Sequence, residues 1–524
     1  MKGEEGEQLA NLNARTDQTG RIRKTQSWRS QISNKRIYIL ALIEKSLIFS
    51  VYAAVESQIG FFLDIFCNKN NFNCSKDTKQ ASMSVMSSIT FFTSTLTYIM
   101  YPFIFKLNPK TTINLAKLGL AFSILIFCFG PFWALFVGRT LMGIFVEFCH
   151  VVAHWMIYQV ALPQHKEFAV ASILVVGTAV SLALTLLSYV DTGGWWMWRL
   201  VNSAPAILLI ALVFIDMSVL KNVNGLDFLQ STMHKDVVVK QLSTYYEKAT
   251  SIEILKLFNK KRETQTKKKI VGEGTKQSLW SEMKLHDKEL INSTLVAVFG
   301  VGCFSDVFFY NGIYIGSHSL NNKEDVKASK EILFVGGVAY FIGSLLLMLF
   351  KFNKKRKTLI MVSQLIAILS FCLAAFGYLV DQLWIARMAI VPGCVFFGYI
   401  RVTTYLYIVD VCIPSLISIP LLFLRLSLAI ILLVFPLVIN FENSTKEQVG
   451  RRLIGVALFG FLCLVMTSIF MIETDGLSKV EISNRLRGLP IQEDNKGLGL
   501  IESDERVDRK QEEDLFEELQ ELGK

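Results

Sequence analysis

Charge is scarce in this chain. Asp, Glu, Lys and Arg make up only 19% of its 524 residues, and hydrophobic residues supply 52%, whereas soluble domains carry about 25% charge. Such a balance excludes a soluble enzyme, a nucleic-acid reader and a secreted disulfide scaffold. Also missing is any GxxxxGK[ST] loop to cradle a nucleotide's phosphates. The N-terminus, MKGEEGEQ, lacks the basic-then-apolar pattern of a cleavable signal, and its acidic residues speak against a transit peptide. Cysteine is sparse in the loops: of nine, seven (Cys128, Cys149, Cys303, Cys372, Cys394, Cys412, Cys463) fall within or at the ends of apolar runs, where they read as small packing residues. Cys67 and Cys74 share one loop, so a local disulfide there is open if that loop faces an oxidising compartment.

What the chain has instead is runs of about 20 apolar residues recurring from Leu40 to Ile472, each long enough to cross about 30 Å of hydrocarbon as a helix. Only helices or closed barrels satisfy their own backbone there, and these runs are too long and too uniformly apolar for barrel strands. The pattern predicts helices near 37–66, 82–104, 112–130, 132–157, 168–190 and 196–218, then near 290–315, 331–350, 358–380, 383–409, 415–440 and 451–472. The expectation is an all-α polytopic membrane protein with 12 transmembrane helices in two six-helix bundles. Its divisions are an N-terminal tail 1–35, a first bundle 36–218, a central loop 219–289, a second bundle 290–475 and a C-terminal tail 476–524.

Orientation follows from the 54 Lys and Arg residues, because basic residues flanking spans stay on the cytoplasmic side. With the N-terminus inside, the inner segments hold the Arg15 to Arg36 cluster, KKR at 260–262, KKK at 267–269 and KFNKKRK at 351–357. The outer loops hold only Lys69, Lys76, Lys79, Lys323, Lys327, Lys330, Lys446, Arg451 and Arg452. Both termini are therefore expected in the cytoplasm, in the plasma membrane or an endomembrane vesicle. The sequons Asn73-Cys74-Ser75 and Asn443-Ser444-Thr445 fall in outer loops, in keeping with that orientation. The insert's basic runs need no partner beyond anionic lipid headgroups, and the acidic C-terminal stretch reads as a solvated tail.

The fourth and tenth spans repeat each other. Arg139 precedes Tyr158 by 19 residues and Arg387 precedes Tyr407 by 20, at matching places in the two sets, as a duplicated half leaves behind. On these and the following residues the chain resembles the major facilitator superfamily, in its sugar-porter and organic-ion-transporter branch. GRTLMG at 138–143, which contains Gly143, resembles the branch's GRxLxG. GWWMWRLVNSAPAILLIAL resembles its Trp-Arg then Pro pattern. IETDGLSKVEI at 472–482, with Glu473, Thr474 and Gly476, resembles PETKGxxLEEI, and Asp216 stands where the first half carries PESPR. The resemblance implies two halves rocking about a midplane site lined by the first, fourth, fifth, seventh, tenth and eleventh spans. The chain also departs from the family: the GxxxDRxGRR loop reads PFIFKLNPKT at 102–111 and, in its second copy, FKFNKKRKTL at 350–359, both without the Asp. The QQxSGxN pattern aligns with FGVGCFS at 299–305, and Ala171 stands where the fifth span would carry Gln.

Ionisable groups at bilayer depth are costly and face cavities or partners. Glu56, Arg139, Glu147, Asp306, Arg401 and Arg425 are the candidates. The resemblance aligns Glu56 with the acid of proton-coupled sugar porters and Arg139 with the Arg facing it. A carboxylate that pairs with and leaves an arginine carries a proton; the competing reading is a static ion pair. Arg401, counted back from the family-motif residue Asp410, falls at the start of the family's GPIPW stretch, with Tyr405 in the Trp place. A guanidinium there suits a carboxylate, sulfate or phosphate, with Arg425, Asp306 and Tyr310 completing the expected lining. The competing reading pairs Arg401 with Glu147 or Asp306, and has Arg425 snorkel or pair with another helix. His150 and His154 lie one turn apart, a metal-binding spacing without a third ligand in sequence, so no metal or cofactor is expected.

The expected function is therefore secondary transport of a small organic solute, not enzymatic catalysis. Organic anions are favoured over neutral sugars, and proton coupling is left open. The alternative is a transport-inactive sensor or scaffold with the insert and tail as its output. The expected partners are the solute, protons if coupled, and the bilayer, with no nucleic acid.

Overall fold

The computed structural model describes residues 76–104, 108–160, 195–220, 283–306, 335–346, 355–412, 416–438, 445–474 and 479–488, with isolated positions elsewhere, among them 39–41, 43–44 and 47–48. Among these residues the regular structure is helical. In chain order the helices are α1 (Lys76–Ile104), α2 (Pro109–Phe129), α3 (Phe132–Val160), α4 (Trp195–Ser218) and α5 (Asp287–Val296), which runs into a π-helical segment (Ala297–Asp306). They continue as α6 (Val335–Leu346), α7 (Arg356–Leu379), α8 (Leu383–Val411), α9 (Ser418–Val438), α10 (Lys446–Phe470) and α11 (Lys479–Arg487). α1 to α4 are the second, third, fourth and sixth expected spans. α5 with the π segment is the seventh, and α6 to α10 are the eighth to twelfth. Among the described residues five stretches, Pro109–Phe129, Trp133–Ala153, Arg356–Leu379, Trp384–Val411 and Lys446–Phe470, are long and apolar enough to cross a membrane.

The helix starts show where polar chemistry extends an apolar run. α2 opens on Pro109 behind Asn108, whose side chain accepts from the Lys110 N–H at 3.1 Å, satisfying a donor that the first turn leaves open. α10 begins at Lys446, five residues ahead of the apolar pattern, because Thr445 and Gln448 form a reciprocal capping box. The hydroxyl of the second sequon is thus a helix cap. α1 likewise begins at Lys76 with a polar turn outside the hydrocarbon pattern. The α7–α8 hairpin turns within three residues, with Asp381 at φ 59° and the Gln382 N–H donating to the Gly377 carbonyl at 2.8 Å.

The helices turn large apolar side chains outward and keep most of their intramembrane charge inside, among apolar cores. Trp133, Ile207, Phe214 and Leu458 are each about two-thirds exposed, while Arg139, Lys117, Thr404 and Gln364 are fully buried. One core gathers α1, α2, α3 and α4 around Met86, Ile124, Val146 and Leu209, and it also takes Leu428, Ala429 and Leu432 from α9. A second gathers α7, α8 and α10 around Phe371, Phe397 and Leu453. Between them a seam of Tyr98 (α1), Val151 (α3), Ala297 and Val301 (π segment), Ile408 (α8), Leu421 and Leu424 (α9) joins the two. α9 therefore ties the two sets of helices together by packing along α1. α11 forms part of a separate unit beginning at Leu477. Its Glu481 lies in the first turn and Arg485 and Arg487 in the last, the arrangement a helix dipole favours.

Candidate functional site

The seam carries charge. Glu147 of α3 pairs with Arg425 of α9, Nη2 to Oε1 2.5 Å, and both side chains are buried. Tyr98 of α1 donates its hydroxyl to the other Glu147 oxygen at 2.8 Å, and His150, one turn on, brings Nδ1 to 3.6 Å of that oxygen. The Arg425 guanidinium also lies over the Phe91 ring, 5.8 Å from its centroid. Removing two charges from water is tolerable only when each finds a partner and further hydrogen bonds. Here three helices supply them, α9 from the second set and α1 and α3 from the first.

Close backbone approach builds the rest. In the π segment a Cβ on Gly302 would lie 2.3 Å from Ser427 Oγ, and one on Gly300 would lie 3.4 Å from Thr404. Small residues therefore let α8 and α9 close on the segment, which is the FGVGCFS stretch that departs from the family's amide pattern. On the far side of α8, a Cβ on Gly398 would meet the Tyr340 carbonyl at 2.4 Å, and one on Gly343 of α6 the Val395 carbonyl at 1.8 Å. This approach brings the Tyr340 hydroxyl within 3.2 Å of Arg401 Nη1. Tyr405, one turn beyond Arg401, packs against the seam.

The structure thus brings together three of the five residues expected to line the site, Arg401, Tyr405 and Arg425, and it pairs Glu147 with Arg425. Asp306 ends the π segment, and its side chain, like Tyr310, lies outside the described residues, as do Glu56, Gly476, Cys67, Cys74 and the His154 side chain. Arg139 is fully buried on α3, and its Nε donates to the Met86 carbonyl of α1 at 3.2 Å. Gly143, one turn on, packs against the same helix: a Cβ there would lie 2.1 Å from Thr93 Oγ1 and 2.2 Å from the Thr90 carbonyl.

A second set of charges lies at the end where the basic loops attach. Arg356, the first residue of α7 and part of the basic run, bonds Asp410 at the end of α8, and the Lys357 N–H donates to Glu473 at 3.2 Å. The Tyr407 hydroxyl donates to Asn292 at 2.6 Å and accepts from the Ile472 N–H at 3.3 Å, and Asn292 donates to the Phe470 carbonyl. Thr474 is buried beside them. The signature after the last span therefore fastens α10 to α5, α7 and α8. In the first set, Lys117 of α2 pairs with Glu44 and lies 3.7 Å from Asp216, all three side chains fully buried. Lys110 Nζ donates to the Leu220 carbonyl at 2.7 Å. Lys110, at the described end of the stretch that lacks the family's Asp, is thus tied to the backbone just past α4.

Sequence reasoning left out Glu44, Lys117 and Tyr340. Glu44 and Lys117 carried a usable signal, a charge inside an apolar run; Tyr340 carried none, since its role depends on the α6–α8 approach.

The Major Facilitator Superfamily profile matches residues 37–419, most of the chain, and leaves Arg425 and Glu473 beyond its end. The chain belongs to the major facilitator superfamily. No curated protein sequence matches it. Among solved structures, the proton:xylose symporter XylE bound to 6-bromo-6-deoxy-D-glucose aligns at TM-score 0.65 and 13% identity, over 86% of this chain and 98% of that one. The partially occluded inward-open xylose transporter XylE from E. coli aligns at TM-score 0.65 and 11% identity, over 83% and 99%. A double-Trp XylE mutant aligns at 0.68 and 12%, over 86% and 99%. The likeness is one of fold: a major facilitator protein, integral to the membrane and crossing it many times.

Proposed function

We propose that this major facilitator protein is a secondary transporter of a small organic solute, that it works by alternating access, and that organic anions are its favoured class. One observation carries the reading: Arg425 is held at the seam between the two sets of helices, Tyr405 packs against that seam, and Arg401 lies one turn from Tyr405 on α8. Guanidinium groups in such a place offer forked hydrogen bonds to an anion, and burial strengthens them. In this reading Arg401, Tyr405, Arg425, Asp306 and Tyr310 bind the solute, and Glu56 carries a proton against Arg139. The halves are 36–218 and 290–475, and both termini face the cytoplasm in the plasma membrane or a vesicle. Asp410 with Arg356, and Glu473 with the Lys357 N–H, act as the latch at the basic-loop end.

Uptake of a labelled panel of sugars and organic anions into proteoliposomes, with and without a pH gradient, tests it. Anion uptake that Arg401→Ala abolishes supports the cationic site. A pH dependence that Glu56→Gln leaves intact removes the role of Glu56. The structural likeness to a proton:xylose symporter favours a second reading, a neutral sugar, which the same panel separates. No uptake of any solute by folded protein would turn the assignment to a sensor or scaffold.

A further inference from the structure

We infer that Tyr340 is the positioning residue of the anion site: its hydroxyl fixes the plane of the Arg401 guanidinium, so that the fork meets an organic carboxylate edge to edge. The inference rests on the transporter reading above and names the solute class of that same site. It begins in two glycines. Gly343 of α6 and Gly398 of α8 bring the two helices so close that a Cβ on the first would lie 1.8 Å from the Val395 carbonyl, and one on the second 2.4 Å from the Tyr340 carbonyl. Tyr340 lies one turn before Gly343, and Arg401 one turn after Gly398. The contact that locks the two helices therefore also sets the distance between these two side chains.

Tyr340 is itself held still. Its carbonyl accepts from the Ser344 hydroxyl at 3.1 Å, Ser344 is buried against Gly398, and the Tyr340 side chain lies in the core that also holds Ala339, Phe397 and Ile400. A packed ring keeps its rotamer, so the phenol oxygen is a fixed point. There it accepts from Arg401 Nη1 at 3.2 Å. The arginine stem turns about several bonds, but its guanidinium is one rigid plane with five N–H donors, and a bond at Nη1 sets the direction of the whole fork. The acceptor is a neutral hydroxyl. This bond therefore orients the guanidinium without neutralising it, whereas a carboxylate in the place of the phenol would do both. The Nε–Nη2 edge takes no part in the bond, and it is one of the edges through which a guanidinium gives a carboxylate two parallel N–H···O bonds. A carboxylate holds both oxygens in one plane with its carbon. A sulfonate is tetrahedral and its third oxygen stands out of that plane, so a fork held in one orientation favours the carboxylate.

Benzoate and benzenesulfonate test this on the full-length protein in nanodiscs, because they share a ring and a charge and differ only in the head group. Wild type is expected to bind benzoate severalfold more tightly than benzenesulfonate. Tyr340→Phe, which keeps the ring and its packing, is expected to weaken benzoate about three- to tenfold, the usual cost of leaving a long side chain for the ligand to order, and to narrow the preference. Arg401→Lys keeps the charge but has no plane to set. It is expected to bind both anions weakly and without preference, and Tyr340→Phe is expected to cost it no further affinity. A tyrosine that only supports the fold would instead weaken benzoate equally in both backgrounds, and such additivity would overturn the inference. So would benzoate affinity unchanged in Tyr340→Phe, wild type that binds benzenesulfonate as tightly as benzoate or more so, or wild type that binds no benzoate. The wild-type comparison needs no variant to fold. If any of these appears while solutes of the labelled panel still enter proteoliposomes, the inference fails and the transporter reading stands. If no solute enters, both fail.

Discussion

Buried ion pairs set the energy of single residues here. Removing one member of such a pair strands a charge in a medium that cannot solvate it, at a cost of about 3–5 kcal/mol, while removing both is often close to neutral. Arg425→Met is therefore expected to lower thermal stability sharply, and Glu147→Gln with Arg425→Met together to restore most of it. Melting curves of the two single variants and the double variant in one detergent check the cycle, and additive losses would mean that the pair is not coupled. At this scale the sequence was half legible. Arg425 and Glu147 stand out as charges in apolar runs, and Arg425 was open to pairing with another helix. Their union was hidden because it joins α3 to α9 across most of the chain, and Tyr98 looks like any other aromatic of a membrane helix. The charge signal finds the participants; only packing assigns the partners.

Elements were more legible than residues, because a membrane span is specified by length and composition before any contact forms. The predicted ends of α3, α7, α8 and α9 fall within about four residues of the observed ones, within the usual error of pattern reasoning. The misplaced starts, at Lys76 and Lys446, are polar turns that hydropathy does not mark, the second of them added by its capping box. What hydropathy cannot show is how closely two helices approach, and here glycines decide it. Gly143→Ala is expected to cost about 1–3 kcal/mol through overpacking, because its Cβ would enter the space of the Thr90 carbonyl, a backbone atom that no rotamer moves aside. Gly455→Ala in α10, with nothing within 4 Å of its Cβ, is the matched control, expected to be neutral or slightly stabilising. Comparing the two melting temperatures separates packing from helix propensity. The π segment is the element that sequence gives no hint of. Its wider ladder presents Gly300 and Gly302 to α8 and α9, where an unbroken α-helix would turn them to different neighbours.

For the whole molecule, the expected orientation has a direct test. Cysteine introduced at Lys446 is expected to react with a membrane-impermeant thiol reagent on sealed cells, and cysteine at Lys355 only after permeabilisation. The reverse pattern would invert the assignment. The seam has an electrical consequence as well. Glu147 and Arg425 are one negative and one positive charge held together between the two sets of helices, so the pair itself adds no net charge to the carrier as it reorients. A full elementary charge moved across the bilayer is worth about 2.3 kcal/mol per ~100 mV, and the pair feels none of it. Glu147→Gln leaves the charge of Arg425 uncompensated, and current recordings on supported membranes are expected to show a steeper voltage dependence in that variant than in wild type; equal voltage dependence would mean that the pair lies outside the field. The pair thus hides its charge from the polarisation of the membrane in which it sits.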